Sequence, residues 1–210
     1  MRKVSIKVCG MKYNCAQVVS LAPDYIGFIF YRQSPRYWEG KLPDIPKHMG
    51  RVGVFVNADI TTILETLTQY GLTAIQLHGD ETPQFCRELR QEILQKHTEK
   101  IEIWKVFGIT STFNCSEVLP YEEVVDKYLF DTKGDHRGGN GVAFNWSVLK
   151  AYPSQKPFII SGGIGPEHLG RIHKINRSKL PLHAVDVNSR FEDEPGRKNT
   201  AILKKFIDDL

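Results

Sequence analysis

The chain has 210 residues, of which 41% are hydrophobic and 25% charged, a balance typical of one globular domain. A net charge of +4 without any block of Lys or Arg argues against a nucleic-acid-binding protein and fits an anionic small-molecule substrate. No stretch approaches the length of a membrane span, and the first residues contain no long apolar segment. We therefore expect a cytoplasmic protein with neither a nucleic-acid nor a membrane partner.

Four cysteines are spread along the chain, at Cys9, Cys15, Cys86 and Cys115. They form no CxxC pair and have none of the Cys/His spacings of a zinc site. We expect reduced thiols and no structural metal.

Eight short runs of apolar residues are predicted to be strands. The run YIGFIF at 25–30 is apolar throughout, which is typical of a strand buried on both faces. The predicted strands are, in order, 5–9, 25–30, 51–56, 74–77, 101–107, 128–131, 158–161 and 184–187.

Helical periodicity and capping residues separate most of these strands. Asp59 opens one helix and Gly71 ends it, whereas Pro43 and Pro46 leave no room for a helix in the second crossover. Pro120 weakens the prediction of the helix that contains it. The predicted helices are 15–21, 59–71, 82–97, 116–127, 146–152, 166–172 and 200–210.

Eight strands, each followed by a helix or loop, predict an α/β protein: a (β/α)8 TIM barrel that forms a single domain over residues 1–210. A doubly wound open sheet is the structural alternative. The strand count favours the barrel, as does the absence of a GxGxxG motif after the first strand.

Polar residues follow several strands whose bodies are apolar. In a barrel the loops after the strands share one face, where active sites lie. Each residue also has a structural explanation, such as an inert buried thiol or a solvated loop charge. Because burying many polar groups without partners is unfavourable, their number favours a functional site. The candidates are Cys9, Arg36, His78, Asp131, Gly162, Gly163, Asp186, Asn188 and Ser189.

A phosphate site is predicted at the ends of the last two strands. Gly162-Gly163 follows the seventh strand, and Asn188-Ser189-Arg190 follows the eighth, where barrels commonly bind phosphate. Glycine-rich turns expose backbone N–H groups, and a helix N-terminus favours an anion. A glycine turn that serves only the chain geometry remains an alternative.

Motifs along nearly the whole chain resemble the phosphoribosylanthranilate isomerase family of tryptophan biosynthesis. The motifs are KVCG at 7–10, GFIFYRQSPR at 27–36, VGVFVN at 52–57, QLHGDE at 76–81, FDT at 130–132, GGNG at 138–141, SGG at 161–163 and DVNS…E…PG…K at 186–198. The sequence departs from the family's usual residues at Asn140, Arg190, Phe191 and Asn199, all near the phosphate end.

The resemblance implies an Amadori rearrangement of N-(5-phospho-β-D-ribosyl)anthranilate, with Asp131 as general acid and Cys9 as general base. A raised pKa of Asp131 would favour the acid, and positive charge such as that of Lys7 should lower the pKa of Cys9. Arg36 would bind the anthranilate carboxylate as a bidentate fork.

The resemblance also implies a phosphoribosyl substrate and a monomer or homodimer. It implies no cofactor, because the substrate nitrogen is itself the electron sink. The implied substrate-binding residues are Arg36, His78, Gly141, Gly162, Gly163, Asp186, Asn188, Ser189 and Arg190.

Other phosphosugar barrels remain alternatives. The related imidazole-pathway isomerase would use two Asp residues, but the first strand ends in Cys9. An indole-glycerol-phosphate synthase would need a catalytic lysine, for which Lys105 is the candidate. A non-catalytic phosphoribosyl-ligand binding protein is the alternative from a different class. Arg190 could occupy a strained position with positive φ, or turn towards solvent.

Overall fold

The computed structural model describes residues 4–110, 113–132 and 145–210. The predicted substrate-binding residue Gly141, the departure at Asn140 and the glycine-rich segment 133–141 lie outside the described residues.

Eight parallel strands pair in chain order and close into a barrel, which confirms the predicted TIM-barrel fold. Closure is made by β1 and β8, where Ser5 pairs with Ala184 and Lys7 with Asp186. That the whole chain is one domain stays a prediction. The strands are β1 Ser5–Val8, β2 Tyr25–Ile29, β3 Gly50–Phe55, β4 Ala74–Leu77, β5 Glu102–Ile109, β6 Lys127–Thr132, β7 Phe158–Ile160 and β8 Leu182–Val187.

Alternation along the strands divides the buried residues into two cores. The barrel interior is filled by a small cluster that includes Trp104, Val106, Leu129 and Ile159. A larger cluster lies between the outer face of the barrel and the surrounding helices. Because residues two apart share a face, a polar residue two positions beyond an interior apolar residue reaches the mouth of the barrel. Asp131, two after Leu129, is one of these.

The described residues form five α-helices, which pack outside the barrel. Asp59 caps α2 by accepting a hydrogen bond of 2.9 Å from the Thr62 N–H, and Gly71 ends that helix at φ +54°. Within the described residues, no helix is both long and apolar enough to cross a lipid bilayer. The helices are α1 Cys15–Val19, α2 Ile60–Tyr70, α3 Pro83–Lys96, α4 Leu169–Asn176 and α5 Thr200–Asp209.

Two of the predicted helices, at 116–127 and 146–152, are present with 3₁₀ geometry, and the first is shorter than predicted. The segments Cys115–Tyr121 and Trp146–Ala151 are 3₁₀ helices. Pro120 lies inside the first of them and has no N–H for an α-helical hydrogen bond. The second crossover contains no helix, as predicted. A short antiparallel pair, β9 Glu192–Glu194 and β10 Arg197–Lys198, follows β8 and was not expected from the sequence.

Candidate active site

A cavity whose empty space, with the open solvent at its mouth, amounts to about 720 Å³ lies at the C-terminal ends of the barrel strands. It brings together nine of the eleven predicted site residues. Arg36 does not line it, and Gly141 lies outside the described residues. The predicted residues on its wall are Cys9, His78, Asp131, Gly162, Gly163, Asp186, Asn188, Ser189 and Arg190.

Cys9 follows β1 and is buried, with 4% of its surface exposed. The thiol of Cys9 fits there because the facing residue in the neighbouring strand, Gly27, has no side chain. A Cβ atom on Gly27 would lie 2.9 Å from the Cys9 Sγ atom and 3.1 Å from the Lys7 Cε atom. Cys9 and Lys7 therefore lie side by side on the inner face of β1, as their spacing of two predicts.

Lys7 forms a buried ion pair with Asp186 beneath the cavity. Lys7 Nζ donates to Asp186 Oδ1 at 2.9 Å, and Ser161 Oγ donates to Asp186 Oδ2 at 3.3 Å. Burial raises the pKa of Asp186, and the attraction of Lys7 offsets only part of that rise. Burial lowers the pKa of Lys7, but Asp186 and Cys9 prevail and raise it, so Lys7 stays charged.

The expected lowering of the Cys9 pKa is not found. Burial raises the pKa of Cys9, and repulsion from Asp186 adds to this effect. The attraction of Lys7, and more weakly of Lys198, acts in the opposite direction but does not prevail. The pKa of Cys9 therefore favours the thiol over the thiolate.

Asp131 lies near the end of β6 and is paired with His78 from the end of β4. His78 Nε2 and Asp131 Oδ2 are 3.2 Å apart. Gly162 has φ +82°, and a Cβ atom there would clash with the Thr132 N–H and lie 2.7 Å from Asp131 Oδ1. Glycine at this position therefore leaves room for the carboxyl group of Asp131.

The turn that carries His78 is held by a buried ion pair outside the cavity. The Glu81 carboxylate accepts from the N–H groups of Asn57 and Gly79 and is 2.9 Å from Lys105 Nζ. Lys105 also donates to the Gly79 carbonyl at 2.8 Å. Since the neighbours of Lys105 in β5 fill the barrel interior, its own side chain points outwards and does not reach the cavity.

Arg36 is held by Glu192 at the start of β9. Its Nε donates to both carboxylate oxygens at 3.0 Å, and Nη2 donates to Oε2 at 2.6 Å. Lys198, 2% exposed, donates to Glu192 Oε1 at 2.6 Å and to Asn188 Oδ1 at 2.7 Å. Burial lowers the pKa of Lys198, and Glu192 offsets only part of that change. This network ties Arg36 to the loop after β8.

The predicted phosphate end combines a glycine turn and a 3₁₀ helix. Gly162 and Gly163 have φ of +82° and +64°, and the helix Ser189–Phe191 follows Asn188. No described residue accepts a hydrogen bond from the backbone N–H of Gly163 or Ser189. These donors are available to an anion.

Arg190 does not have the strained backbone considered above, because it is not among the described residues with positive φ. It lies inside the short 3₁₀ helix, a conformation that any residue adopts. Its guanidinium donates to Glu167 Oε1 at 2.7 Å, with both side chains about half exposed.

Several residues of the cavity wall were not predicted from the sequence, namely Tyr31, Ser34, Gln76 and Ser161. Gln76 could have been found from strand alternation, because it lies two residues before His78. Among the described residues, no group of three or more His, Cys, Asp or Glu side chains could hold a metal ion.

Comparison with known proteins places this chain in a family. Residues 6–209 match the family model of N-(5'-phosphoribosyl)anthranilate (PRA) isomerase. Curated relatives of that name from Phocaeicola vulgatus and Parabacteroides distasonis are 37% and 38% identical to the chain. Both alignments cover 98% of this chain, and they cover 97% and 92% of the two relatives.

Solved structures of enzymes with the same name are similar to this chain over nearly its whole length. Phosphoribosyl anthranilate isomerase in complex with reduced 1-(o-carboxyphenylamino)-1-deoxyribulose 5-phosphate is 29% identical, with a TM-score of 0.79 over 99% of this chain and 98% of that one. The enzyme from Thermus thermophilus, at 22% identity and a TM-score of 0.81 over 98% of each chain, shows the shared fold. The chain is thus an isomerase that belongs to the N-(5'-phosphoribosyl)anthranilate isomerase family.

Proposed function

We propose that this protein converts N-(5-phospho-β-D-ribosyl)anthranilate into 1-(2-carboxyphenylamino)-1-deoxy-D-ribulose 5-phosphate, with Asp131 as general acid and Cys9 as general base. The observation that carries the proposal is that Cys9 and Asp131 line the same cavity from strands separated by β7 and β8. A substrate between them can receive a proton from one side and lose a proton to the other.

Asp131 supplies the proton that opens the furanose ring. The proton passes to the ring oxygen as the bond between that oxygen and C1 breaks, and the anthranilate nitrogen forms an iminium with C1. His78, 3.2 Å from Asp131 Oδ2, can stabilise the carboxylate that remains.

Cys9 then removes the proton from C2. Burial favours the thiol, so this step needs added positive charge. The iminium places a positive charge next to C2, and Lys7 already attracts the thiolate from the neighbouring position on β1. Both charges favour the thiolate when it is needed.

Arg36 recognises the anthranilate carboxylate. Its Nε–Nη2 edge faces Glu192, and among the described residues no hydrogen bond engages its Nη1. The substrate carboxylate would therefore bind the Nη1 side, while Glu192 fixes the plane of the guanidinium. A guanidinium free to form a bidentate pair with the substrate carboxylate was expected from the sequence, whereas Glu192 already occupies the Nε–Nη2 edge of Arg36.

The phosphate of the substrate binds the N–H groups of Gly163 and Ser189, which have no acceptor among the described residues. Asn188 and Arg190 border the same end. The ion pair of Arg190 with Glu167 is exposed, so the guanidinium can turn towards a phosphate without an unfavourable burial of charge.

The test is the loss of fluorescence when phosphoribosylanthranilate is consumed. Cys9→Ala and Asp131→Asn should each lower kcat by at least about 100-fold, the low end for the loss of acid–base catalysis. Cys15→Ala and Asp208→Asn make the same chemical changes away from the cavity and should retain wild-type kcat. Near-wild-type turnover of either cavity variant contradicts the assignment.

A further inference from the structure

Gln76 is hydrogen-bonded to His78, and His78 in turn lies beside Asp131. It lies in β4, has 1% of its surface exposed and lines the cavity. Its Nε2 is 3.2 Å from His78 Nδ1, and His78 Nε2 is 3.2 Å from Asp131 Oδ2. The His78 ring therefore lies between Gln76 and Asp131, with a different nitrogen towards each of them.

The orientation of the Gln76 amide decides which tautomer of His78 is present. When Nε2 of Gln76 donates to Nδ1, the proton of the neutral imidazole lies on Nε2, the ring nitrogen 3.2 Å from Asp131 Oδ2. When the amide is turned over, its oxygen accepts from Nδ1, and a neutral His78 presents only a lone pair to Asp131. A carboxylate on Asp131 is stabilised by the first arrangement alone.

A second observation points to a ligand. Gln76 Oε1 is buried and has no hydrogen-bond partner among the described residues. A buried acceptor without a partner is unfavourable, and this one belongs to a side chain of the cavity wall. A hydroxyl group that donates to Oε1 would satisfy it and would hold the amide with Nε2 towards His78.

We propose that Gln76 is a positioning residue that fixes His78 as the Nε2–H tautomer, and that its carbonyl oxygen accepts a hydrogen bond from a hydroxyl of the bound phosphosugar. This inference rests on the proposed role of Asp131 as the acid. It assigns a binding contact and a positioning role to Gln76, which was not predicted from the sequence because the rest of its strand is apolar.

The role follows from the charge that develops on Asp131. As its proton moves to the ring oxygen, the C1–oxygen bond breaks, its electron pair stays on that oxygen, and the nitrogen lone pair forms the iminium. Asp131 becomes a carboxylate, to which the Nε2–H of His78 makes a stronger hydrogen bond than to the neutral acid. His78 keeps its proton throughout, so Gln76 acts by orienting a donor.

Three variants separate this role from a structural one. Gln76→Glu offers only acceptors and draws the proton of a neutral His78 to Nδ1. It should lower kcat about ten- to a hundredfold, equivalent to one hydrogen bond to a charged group. Gln76→Met removes both groups at similar volume and should raise KM about two- to tenfold, equivalent to a neutral hydrogen bond. Gln91→Glu, exposed on α3, makes the same charge change and should leave both constants unchanged.

The tautomer can be measured directly in the wild-type protein. Nitrogen-15 NMR distinguishes the Nε2–H and Nδ1–H tautomers, and the His78 signals are assigned by their loss in His78→Asn. We expect Nε2–H in the wild type and a shift towards Nδ1–H in Gln76→Glu. An Nδ1–H tautomer in the wild type overturns the proposal, and so does equal loss of kcat in the Glu and Met variants.

The two proposals can fail separately. If the wild-type protein does not consume phosphoribosylanthranilate, the proposed function fails, and the NMR measurement still decides whether Gln76 orients His78. If the wild type is active and Gln76→Glu retains its kcat, KM and ring signals, the positioning role alone is refuted.

Discussion

Replacing Lys7 by Met tests whether the buried charge of Asp186 depends on its partner. Lys7 is fully buried, and its Nζ is 2.9 Å from Asp186 Oδ1. Met keeps the length of the chain but removes the ammonium. Among the described residues Asp186 then retains only the 3.3 Å hydrogen bond from Ser161, which is too little to compensate a buried carboxylate.

The expected cost can be worked out from the ionisation of Asp186. Breaking one partner of a buried pair costs about 3–5 kcal/mol. The carboxyl can avoid this by staying protonated, which costs about 1.4 kcal/mol for each pH unit above its unfolded pKa of about 3.9. That route gives about 4 kcal/mol at pH 7, within the first range, and only about 1.5 kcal/mol at pH 5, where protonation becomes the easier route.

The sign of the pH dependence follows from the raised folded pKa of Asp186. A carboxyl with a raised folded pKa contributes stability that is fully present below the unfolded pKa and is lost as pH rises through the folded pKa. Removal of Lys7 raises the folded pKa of Asp186 further. The decrease in the free energy of unfolding caused by Lys7→Met should therefore grow from pH 5 to pH 8.

Urea unfolding followed by the fluorescence of the three tryptophans measures the free energy of unfolding at each pH. The control is Lys7→Met with Asp186→Asn, which removes the buried charge and should recover most of the loss without a pH slope. If Lys7→Met is equally destabilised at pH 5 and pH 8, the loss comes from packing and the electrostatic reasoning is refuted.

Three further variants test the binding end of the site. Arg36→Ala should weaken substrate binding by about 1.5–3 kcal/mol, as for a hydrogen bond to a charged group, and should leave an analogue without the carboxylate unaffected; equal weakening of both ligands argues against carboxylate recognition. Gly162→Ala should lower the melting temperature, because positive φ costs an L-residue about 1–2 kcal/mol. It should also lower kcat, because the new methyl group would contact the Asp131 carboxyl group. An unchanged melting temperature and kcat would show that the turn adapts to the side chain. Arg190→Gly should leave stability within about 1 kcal/mol, since its pair with Glu167 is exposed, and should raise KM at low salt only; an unchanged KM at both salt concentrations means no phosphate contact.

The strands and the barrel could be predicted from the sequence because their signal is local. A run such as YIGFIF is apolar on both faces, and eight such runs with short crossovers are typical of one architecture. The helix type after β5 and before β7 could not be predicted in the same way. The 3₁₀ helices there are short segments whose conformation is decided by packing and, in one of them, by Pro120.

Residues of the candidate site were predictable where they end a strand, because the barrel gathers all strand ends at one face. Cys9, His78 and Asp131 were found in this way and line the cavity. Gln76 was missed because it lies one layer deeper, inside a strand that reads as apolar.

The sequence by itself determined the strand order, the family and the polar residues at the mouth of the barrel, since these depend on local patterns and short motifs. Only the tertiary structure decided which charges meet. Lys7 pairs with Asp186 across 179 positions of the chain, and Arg36 pairs with Glu192 across 156. Barrel closure brings β8 and its following loop against β1 and the loop after β2. Burial, Lys7, Asp186 and Lys198 together then set the pKa of Cys9, which no local pattern in the sequence encodes.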